Sequence, residues 1–295
     1  MNKAPNIQHM LTFDVEEYFH CEAFRQVVGP ERWHLWPSRI DAQMDSLLAM
    51  LERFSVRATF FVLGRVAEHR PEIVRQIASA GHEIACHGDS HEMIQRLGPK
   101  GFAEDSRAGK ERLEAILGQP VLGYRAATFG LMRKTAWAID ALGELGFQYD
   151  SSVQPVRHDR YGVPDAPPQA HLAAGPDGGS ILEIPPMTRV LAGRNFPLGG
   201  GGYFRLLPVM LFDRGLRAWS SEGRSAMLYL HPWEFDAGQP VIPTGRLSRF
   251  RHRVNLGRTG KKLTHLMSRH SFVPVRELLP QLLAQANQAP AFSYV

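Results

Sequence analysis

The sequence predicts an α/β fold in which helices cover a parallel sheet that is either open or closed into a barrel. Short apolar runs of strand character alternate with longer runs whose apolar residues recur at helical spacing. Pro71 stands where a helix should begin, and Gly81 and Gly118 stand where helices should end. The length agrees with this fold, because 295 residues with 44% apolar content suffice for one large core.

Strand-like and helix-like runs follow one another along most of the chain. We expect strands at about residues 8–14, 57–63, 82–86, 121–125, 147–150, 181–184 and 226–231. We expect helices at about residues 39–54, 71–80, 102–117, 133–145 and 205–219. The first helix carries an apolar stripe spaced by three or four residues, formed by Ile40, Met44, Leu47, Leu48 and Leu51.

Two stretches interrupt the alternation. Residues 158–180 are rich in Pro, Gly and Ala, which indicates a long loop. Residues 199–202 are four consecutive glycines, without the Lys-Ser/Thr ending of a phosphate-binding loop. We expect these glycines to bring backbone close to a substrate or to adopt positive φ.

The formal charge of +5 belongs to one segment of the chain. Residues 245–270 hold eight Lys or Arg and no Asp or Glu, whereas the remainder holds 26 basic and 29 acidic residues. The segment is either a solvated face or a surface that contacts an anionic membrane, a lipid-linked substrate or an acidic polymer. Nucleic acid is not expected as a partner, because no zinc-finger spacing or RNA-binding aromatic signature accompanies the charge.

Three further features predict a cytoplasmic protein. No run approaches the roughly 18 apolar residues of a membrane helix. The first twenty residues lack the apolar centre of a secretory signal. Cys21 and Cys86 are expected to be free thiols, since one possible bridge in so long a chain is poor evidence for an oxidising compartment.

Histidines at positions 87 and 91 can bind one divalent cation if a carboxylate joins them. An acidic cluster at residues 14–17 follows the first predicted strand and offers that carboxylate. Because a barrel carries its chemistry at the C-terminal ends of its strands, we expect several polar side chains to converge there. These are Asp14, His87, Arg125, Asp150 and His231.

Six motifs in this order resemble those of the polysaccharide deacetylases, the carbohydrate esterase family 4 or NodB-homology group. They are Thr12-Phe13-Asp14, Ala58-Thr59-Phe60-Phe61-Val62, His87-Gly88-Asp89-Ser90-His91, Gly123-Tyr124-Arg125, Tyr149-Asp150-Ser151-Ser152 and Leu228-Tyr229-Leu230-His231-Pro232. The resemblance covers about residues 8–236. Within the family, the sequence is similar to a bacterial subgroup associated with exopolysaccharide and exosortase loci. It implies a distorted (β/α) barrel with fewer than eight complete strands. We therefore expect a catalytic domain over residues 1–240 and a basic extension over residues 241–295, packed on or following the barrel.

The resemblance also implies a reaction and its residues. The family hydrolyses N-acetyl groups on amino sugars with a divalent metal, usually zinc, held by one carboxylate and two histidines. Asp14 would be the general base and His231 the general acid. Arg125 would orient Asp14, and Asp150 would set the tautomer and pKa of His231. A backbone N–H near Thr128 would stabilise the oxyanion.

One departure from the family pattern decides the metal site. The second of two adjacent Asp residues, usually a metal ligand, is replaced here by Val15. On an extended strand, positions 14 and 16 point to the same side, so Glu16 is expected to join His87 and His91. Glu17 remains the alternative ligand.

The predicted substrate is an N-acetylated oligosaccharide, polysaccharide or lipid-linked glycan intermediate of bacterial exopolysaccharide biosynthesis. Related sequences also deformylate sugars or open cyclic amides, so the acyl group stays open. The alternative from another class is a non-catalytic glycan-binding or scaffolding protein in which the altered acidic motif no longer holds metal. Contact of residues 245–270 with an anionic membrane is compatible with either.

Overall fold

The computed structural model describes residues 7–158, 160–191 and 193–295, and the alternation of strands and helices is confirmed. The strands are β1 (Gln8–Val15), β2 (Thr59–Val62), β3 (Glu83–Cys86), β4 (Gly123–Tyr124), β5 (Tyr149–Asp150), β6 (His171–Ala174), β7 (Ser180–Glu183), β8 (Thr188–Leu191), β9 (Arg194–Pro197), β10 (Met227–Leu230), β11 (Ser271–Val273) and β12 (Phe292–Ser293). Each of the seven predicted strands corresponds to one of these.

The helices are α1 (Ile40–Arg53), α2 (Gly64–His69), α3 (Pro71–Ser79), α4 (Ile94–Leu117), α5 (Trp137–Glu144), α6 (Gly201–Leu206), α7 (Val209–Ser221), α8 (Arg246–Arg253), α9 (Thr259–Met267) and α10 (Val275–Ala286). α4 is interrupted at Gly98, where φ is 65° and Pro99 follows. Within the described part of the chain, every helix is too short or too polar to cross a bilayer. Cys21 and Cys86 are free thiols, as predicted.

A mostly parallel sheet in the order β10-β1-β2-β3-β4-β5-β7-β6-β12 forms the centre of the fold. β6 runs antiparallel to β7, and β11 pairs with the beginning of β1. Among the described strands, pairing does not close a barrel. The chain after β7 instead reaches β10 through backbone hydrogen bonds from Met187 N to Met227 O at 2.9 Å and from Tyr229 N to Gly199 O at 2.8 Å. The α/β class is therefore confirmed, with an open sheet path.

Alternation along β1 separates the core from the side chains of the site. Leu11, Phe13 and Val15 are fully buried in the core that contains the α1 stripe. Met10 belongs to a second core, together with Phe61 and Met227, on the other face of the sheet. Because side chains alternate along a strand, Thr12 and Asp14 share the face of Met10.

The C-terminal segment contributes to the same sheet as the rest of the chain. β11 hydrogen-bonds to β1, and β12 pairs with β6. The predicted boundary at residues 240 and 241 therefore does not coincide with a break in the sheet. Part of the basic charge is also used internally, since Lys262 Nζ donates to the carbonyl oxygens of Phe204, Arg205 and Leu207 at 2.7–3.0 Å.

The two unusual stretches adopt more structure than their composition predicts. β6 lies within the predicted long loop, of which residue 159 is outside the described residues. In the glycine-rich stretch, Gly200 and Gly201 have φ of 157° and 56°. The predicted positive φ is confirmed, and the backbone lies close to Tyr229 of β10, with which Gly200 forms a parallel bridge.

We expect Gly200→Ala to lower the free energy of unfolding by about 2–4 kcal/mol, because strain and overpacking combine. A Cβ at this position would lie 1.7 Å from the carbonyl oxygen of Tyr229. Gly202→Ala is the matched control, since its nearest neighbour would be a side-chain nitrogen 3.8 Å away. Urea denaturation measures both, and equal stability of the two variants would contradict the packing described here.

Candidate active site

The C-terminal end of β1 places two carboxylates in one buried site. Asp14 and Glu16 are 2% and 3% exposed, while Val15 between them packs in the opposite core. Arg125, which is fully buried, donates from Nη1 to Asp14 Oδ1 at 2.6 Å. The contact expected between Arg125 and Asp14 is therefore present.

Arg125 is held by several strand ends at once. Its Nη1 also donates to Thr12 Oγ1 of β1 at 2.9 Å, and its Nη2 donates to Ser151 Oγ, after β5, at 2.9 Å. The Phe61 ring lies 4.0 Å below the guanidinium. These contacts hold the guanidinium in one orientation. The guanidinium in turn fixes the carboxylate of Asp14.

The loop after β3 carries His87 and His91, and α4 fixes its shape. Asp105 of α4 accepts hydrogen bonds from Asp89 N at 2.9 Å, Ser90 N at 3.1 Å and Ser90 Oγ at 2.5 Å. His91 itself has φ of 56°, so the loop is tightly wound rather than extended. The residues between the two histidines thus anchor the loop to α4.

His87, His91 and Glu16 meet in a group with metal-ligand character. Each offers one ligand atom, and these atoms lie within 4.8 Å of one another. His87 Nδ1 donates to the carbonyl oxygen of Arg125 at 2.7 Å, which leaves the Nε2 lone pair free for a cation. Burial lowers the pKa of His87 to about 4, which favours this neutral form.

A divalent cation fits the donor atoms of this group. His91 Nε2 and Glu16 Oε2 lie 2.5 Å apart, and both side chains are buried. Two lone-pair atoms this close need a proton or a cation between them. One carboxylate and two imidazoles form a common zinc-binding set.

Glu17 has a different role from its neighbour. Its carboxylate accepts hydrogen bonds from Ser38 Oγ and from the backbone N–H groups of Arg39 and Ile40, at the beginning of α1. It therefore caps α1 and is not part of the group with His87 and His91.

His231 lies across the site from the histidine pair. Its Nε2 is 3.8 Å from Asp14 Oδ2 and 3.4 Å from Glu16 Oε1. Its Nδ1 donates to Glu234 Oε1 at 2.7 Å, so its Nε2 is the atom directed into the site. The side chain is 16% exposed, which leaves it reachable from solvent.

The expected contact between Asp150 and His231 is wrong. Asp150 Oδ1 accepts a hydrogen bond from Ser152 Oγ at 2.5 Å, and burial raises the pKa of Asp150 to about 6 beside Glu183. The physical reason is the turn at Pro232–Phe235, which brings Glu234 back beside His231. The carboxylate lies three residues after the histidine, and this spacing is the sequence signal that could have identified it.

Sequence reasoning also missed the support behind Glu234. Arg205 of α6 donates from Nε to Glu234 Oε2 at 2.7 Å and is only 3% exposed. Trp233 stacks on His231 with ring centroids 5.0 Å apart and donates from Nε1 to Glu16 Oε1 at 3.2 Å. Nothing in the sequence around Arg205 indicates this role, because the contact joins residues 29 positions apart.

Charge governs the protonation of His231. Burial disfavours the imidazolium, but Glu16, Glu234 and Asp14 outweigh it and raise the pKa of His231 to about 9. Burial likewise raises the pKa of Glu16, but His91 and His231 lower it further, so the pKa lies below its usual value. The site without metal therefore holds a protonated His231 opposite an ionised Glu16.

Comparison with known proteins identifies the family. Residues 9–149 match the profile described as "Polysaccharide deacetylase", and residues 151–280 match "Domain of unknown function (DUF3473)". Residues 9–149 therefore form a polysaccharide deacetylase domain, as the motifs predicted.

Individual relatives agree with this assignment. A chitooligosaccharide deacetylase of Bradyrhizobium sp. (strain ANU 289) is 28% identical over 136 residues, covering 46% of this chain and 61% of that protein. The chain thus spans about three fifths of the length of this relative.

Solved structures share the fold. A Mycobacterium smegmatis protein assigned to the polysaccharide deacetylases superposes with a TM-score of 0.63 at 22% identity, covering 99% of this chain and 95% of the other. The peptidoglycan deacetylase PdaC of Bacillus subtilis gives a TM-score of 0.51 at 14% identity, covering 97% and 95%.

We expect His231 of the metal-free protein to titrate near pH 9 in NMR spectra. The pKa is raised above the ordinary value of about 6.5. The stabilisation of the fold by this proton is therefore complete below about pH 6.5 and is lost as the pH rises through 9. Glu234→Gln should lower the pKa because it removes a partner carboxylate. Asp150→Asn is the control, and a larger shift in that variant would contradict the pairing.

Proposed function

We propose that the protein is a metal-dependent hydrolase that removes N-acetyl groups from amino sugars of a glycan. The observation that carries the proposal is the arrangement at the end of the sheet. A base candidate fixed by arginine, a His/His/Glu group and an acid candidate fixed by glutamate surround one small volume. The family of residues 9–149 supports the same reaction.

Glu16, His87 and His91 would hold the metal. A divalent metal such as zinc supplies a Lewis acid that polarises the acetyl carbonyl and lowers the pKa of water. Asp14, oriented by Arg125, takes a proton from the attacking water. His231 donates its Nε2 proton to the leaving nitrogen, and Glu234 holds the imidazole in the required tautomer. The products are acetate and a free amine.

The assignment of His231 as acid agrees with its surroundings. Its pKa in the metal-free site keeps the imidazole protonated at neutral pH. A cation beside Glu16 would reduce the negative potential and lower that pKa toward the neutral range, where a general acid works best.

Acetate release from chitohexaose tests the proposal. We expect chelator and His87→Ala to abolish it, and Asp14→Asn to lower kcat by about 10²–10⁴-fold because the base is lost. Glu68→Gln, an exposed carboxylate of α2, serves as the control with unchanged activity. Equal activity in His87→Ala would overturn the proposal, and absence of both metal and hydrolysis would favour a glycan-binding protein.

We further propose that the substrate is a glycan intermediate of exopolysaccharide biosynthesis at the cytoplasmic face of a membrane. α8 supports this location, because Leu247 and Phe250 are 61% and 56% exposed among Arg246, Arg249 and Arg251. Exposed apolar residues among arginines are typical of helices that lie on anionic lipid. α8 also adjoins the site, since His252 stacks on Trp233 with ring centroids 4.5 Å apart.

Flotation with phosphatidylglycerol vesicles tests the membrane contact. We expect binding that weakens as NaCl rises from about 0.05 M to about 0.5 M. The double variant Arg246→Glu/Arg249→Glu should lower binding by about 30-fold or more, at roughly 1 kcal/mol per lost basic residue. Lys100→Glu, an exposed charge on α4, is the control. Vesicle binding that does not change with salt or with these substitutions would contradict the membrane contact.

A further inference from the structure

A cleft of about 480 Å³ lies beside the active site, between the turn at residues 30–35 and α2. Its apolar walls include Phe19, Trp33 and Trp36. Both tryptophans are half-buried, so each presents part of its ring to solvent. Half-exposed indole rings on a concave surface suit the apolar face of a sugar.

The cleft is joined to the metal-ligand group by stacked rings. The rings of His91 and His20 stack with centroids 5.9 Å apart, and His20 lies 4.1 Å from Trp33. The His20 ring therefore separates the cleft from the metal-ligand group. A ligand in the cleft would therefore lie one ring beyond His91.

One arginine of the cleft lies outside the ion pairs of the described residues. The exposed Arg65 lines it, with its guanidinium 6.0 Å from the centroid of the Trp33 ring. The nearby carboxylates Glu68 and Asp89 both pair with Arg112, and among the described residues Arg65 forms no ion pair.

One carboxylate lines the cleft but does not neutralise it. Glu17 is fully engaged by Ser38 and the first N–H groups of α1. Arg70, the second arginine of the lining, pairs with Asp41. Arg65 is therefore the cation left to meet a ligand, and its partner should be an anion.

We propose that this cleft binds a sugar unit carrying a carboxylate, in the same glycan as the unit that is deacetylated. The inference rests on the proposed function and names the chemistry of its substrate. Trp36 and Trp33 contact the faces of the sugar ring, and Arg65 pairs with the carboxylate. The glycan then alternates N-acetylated and acidic units, or carries both as neighbours.

Binding in the presence of chelator tests the cleft without any need for catalysis. The probes are a hexasaccharide of alternating N-acetylglucosamine and glucuronic acid, and neutral chitohexaose. Calorimetry on the full chain should give about tenfold tighter binding of the acidic probe, since a charged hydrogen bond is gained. Arg65→Ala should remove this preference and leave chitohexaose binding unchanged.

Two more variants separate the stacking from the charge and from general effects. Trp36→Ala should lower the affinity for both probes by about fivefold, because both sugars contact the ring. Trp36 is a safer test than Trp33, which packs against His20, the neighbour of His91. Arg107→Ala, an exposed arginine on α4, should change neither affinity.

Equal affinity of the native protein for the two probes would overturn the proposal, as would an equal loss in Arg107→Ala. Absence of binding to either probe by the folded chain would overturn it as well. A native protein that binds the acidic probe but releases no acetate from chitohexaose would refute only the proposed hydrolase activity. The two failures are therefore distinguishable.

Discussion

A buried ion pair between Arg125 and Asp14 is the interaction on which the rest of the site depends. The side chains are 0% and 3% exposed. Removing one partner of such a pair costs about 3–5 kcal/mol, whereas apolar residues of similar volume often stabilise a core equally well. Stability alone therefore does not explain its presence. The ion pair instead fixes the geometry of the site. Arg125 joins Asp14 to Ser151 through its side chain and to His87 through its carbonyl oxygen.

The two matched regions supply different parts of the arrangement. Residues 9–149 contain Asp14, Arg125 and the His/His/Glu group. Residues 151–280, which match a domain of unknown function, contain His231 with Glu234 and Arg205. The candidate acid and its support thus come from the second region, and the parallel pairing of β1 with β10 joins the two. Neither region alone holds the complete site.

Periodicity predicted most of the central sheet, and the motifs predicted the residues that meet in the site apart from Glu234 and Arg205. Alternation along β1 was enough to place Asp14 and Glu16 on one side, because it depends only on local backbone geometry. The position of Asp150 depended on which strands neighbour each other, and the family resemblance gave the wrong partner. Glu234 and Arg205 escaped notice because a turn and a contact between distant elements bring them to His231.

Glu16, and not its neighbour Glu17, is the carboxylate that we expect to complete a metal site with His87 and His91. Zinc bound per chain, measured on protein loaded and then desalted, tests it directly in Glu16→Ala and Glu17→Ala. We expect near-stoichiometric zinc in the native protein and in Glu17→Ala, whose loss is confined to the cap of α1. We expect no retained zinc in Glu16→Ala. Zinc retained by Glu16→Ala but lost from Glu17→Ala would contradict it.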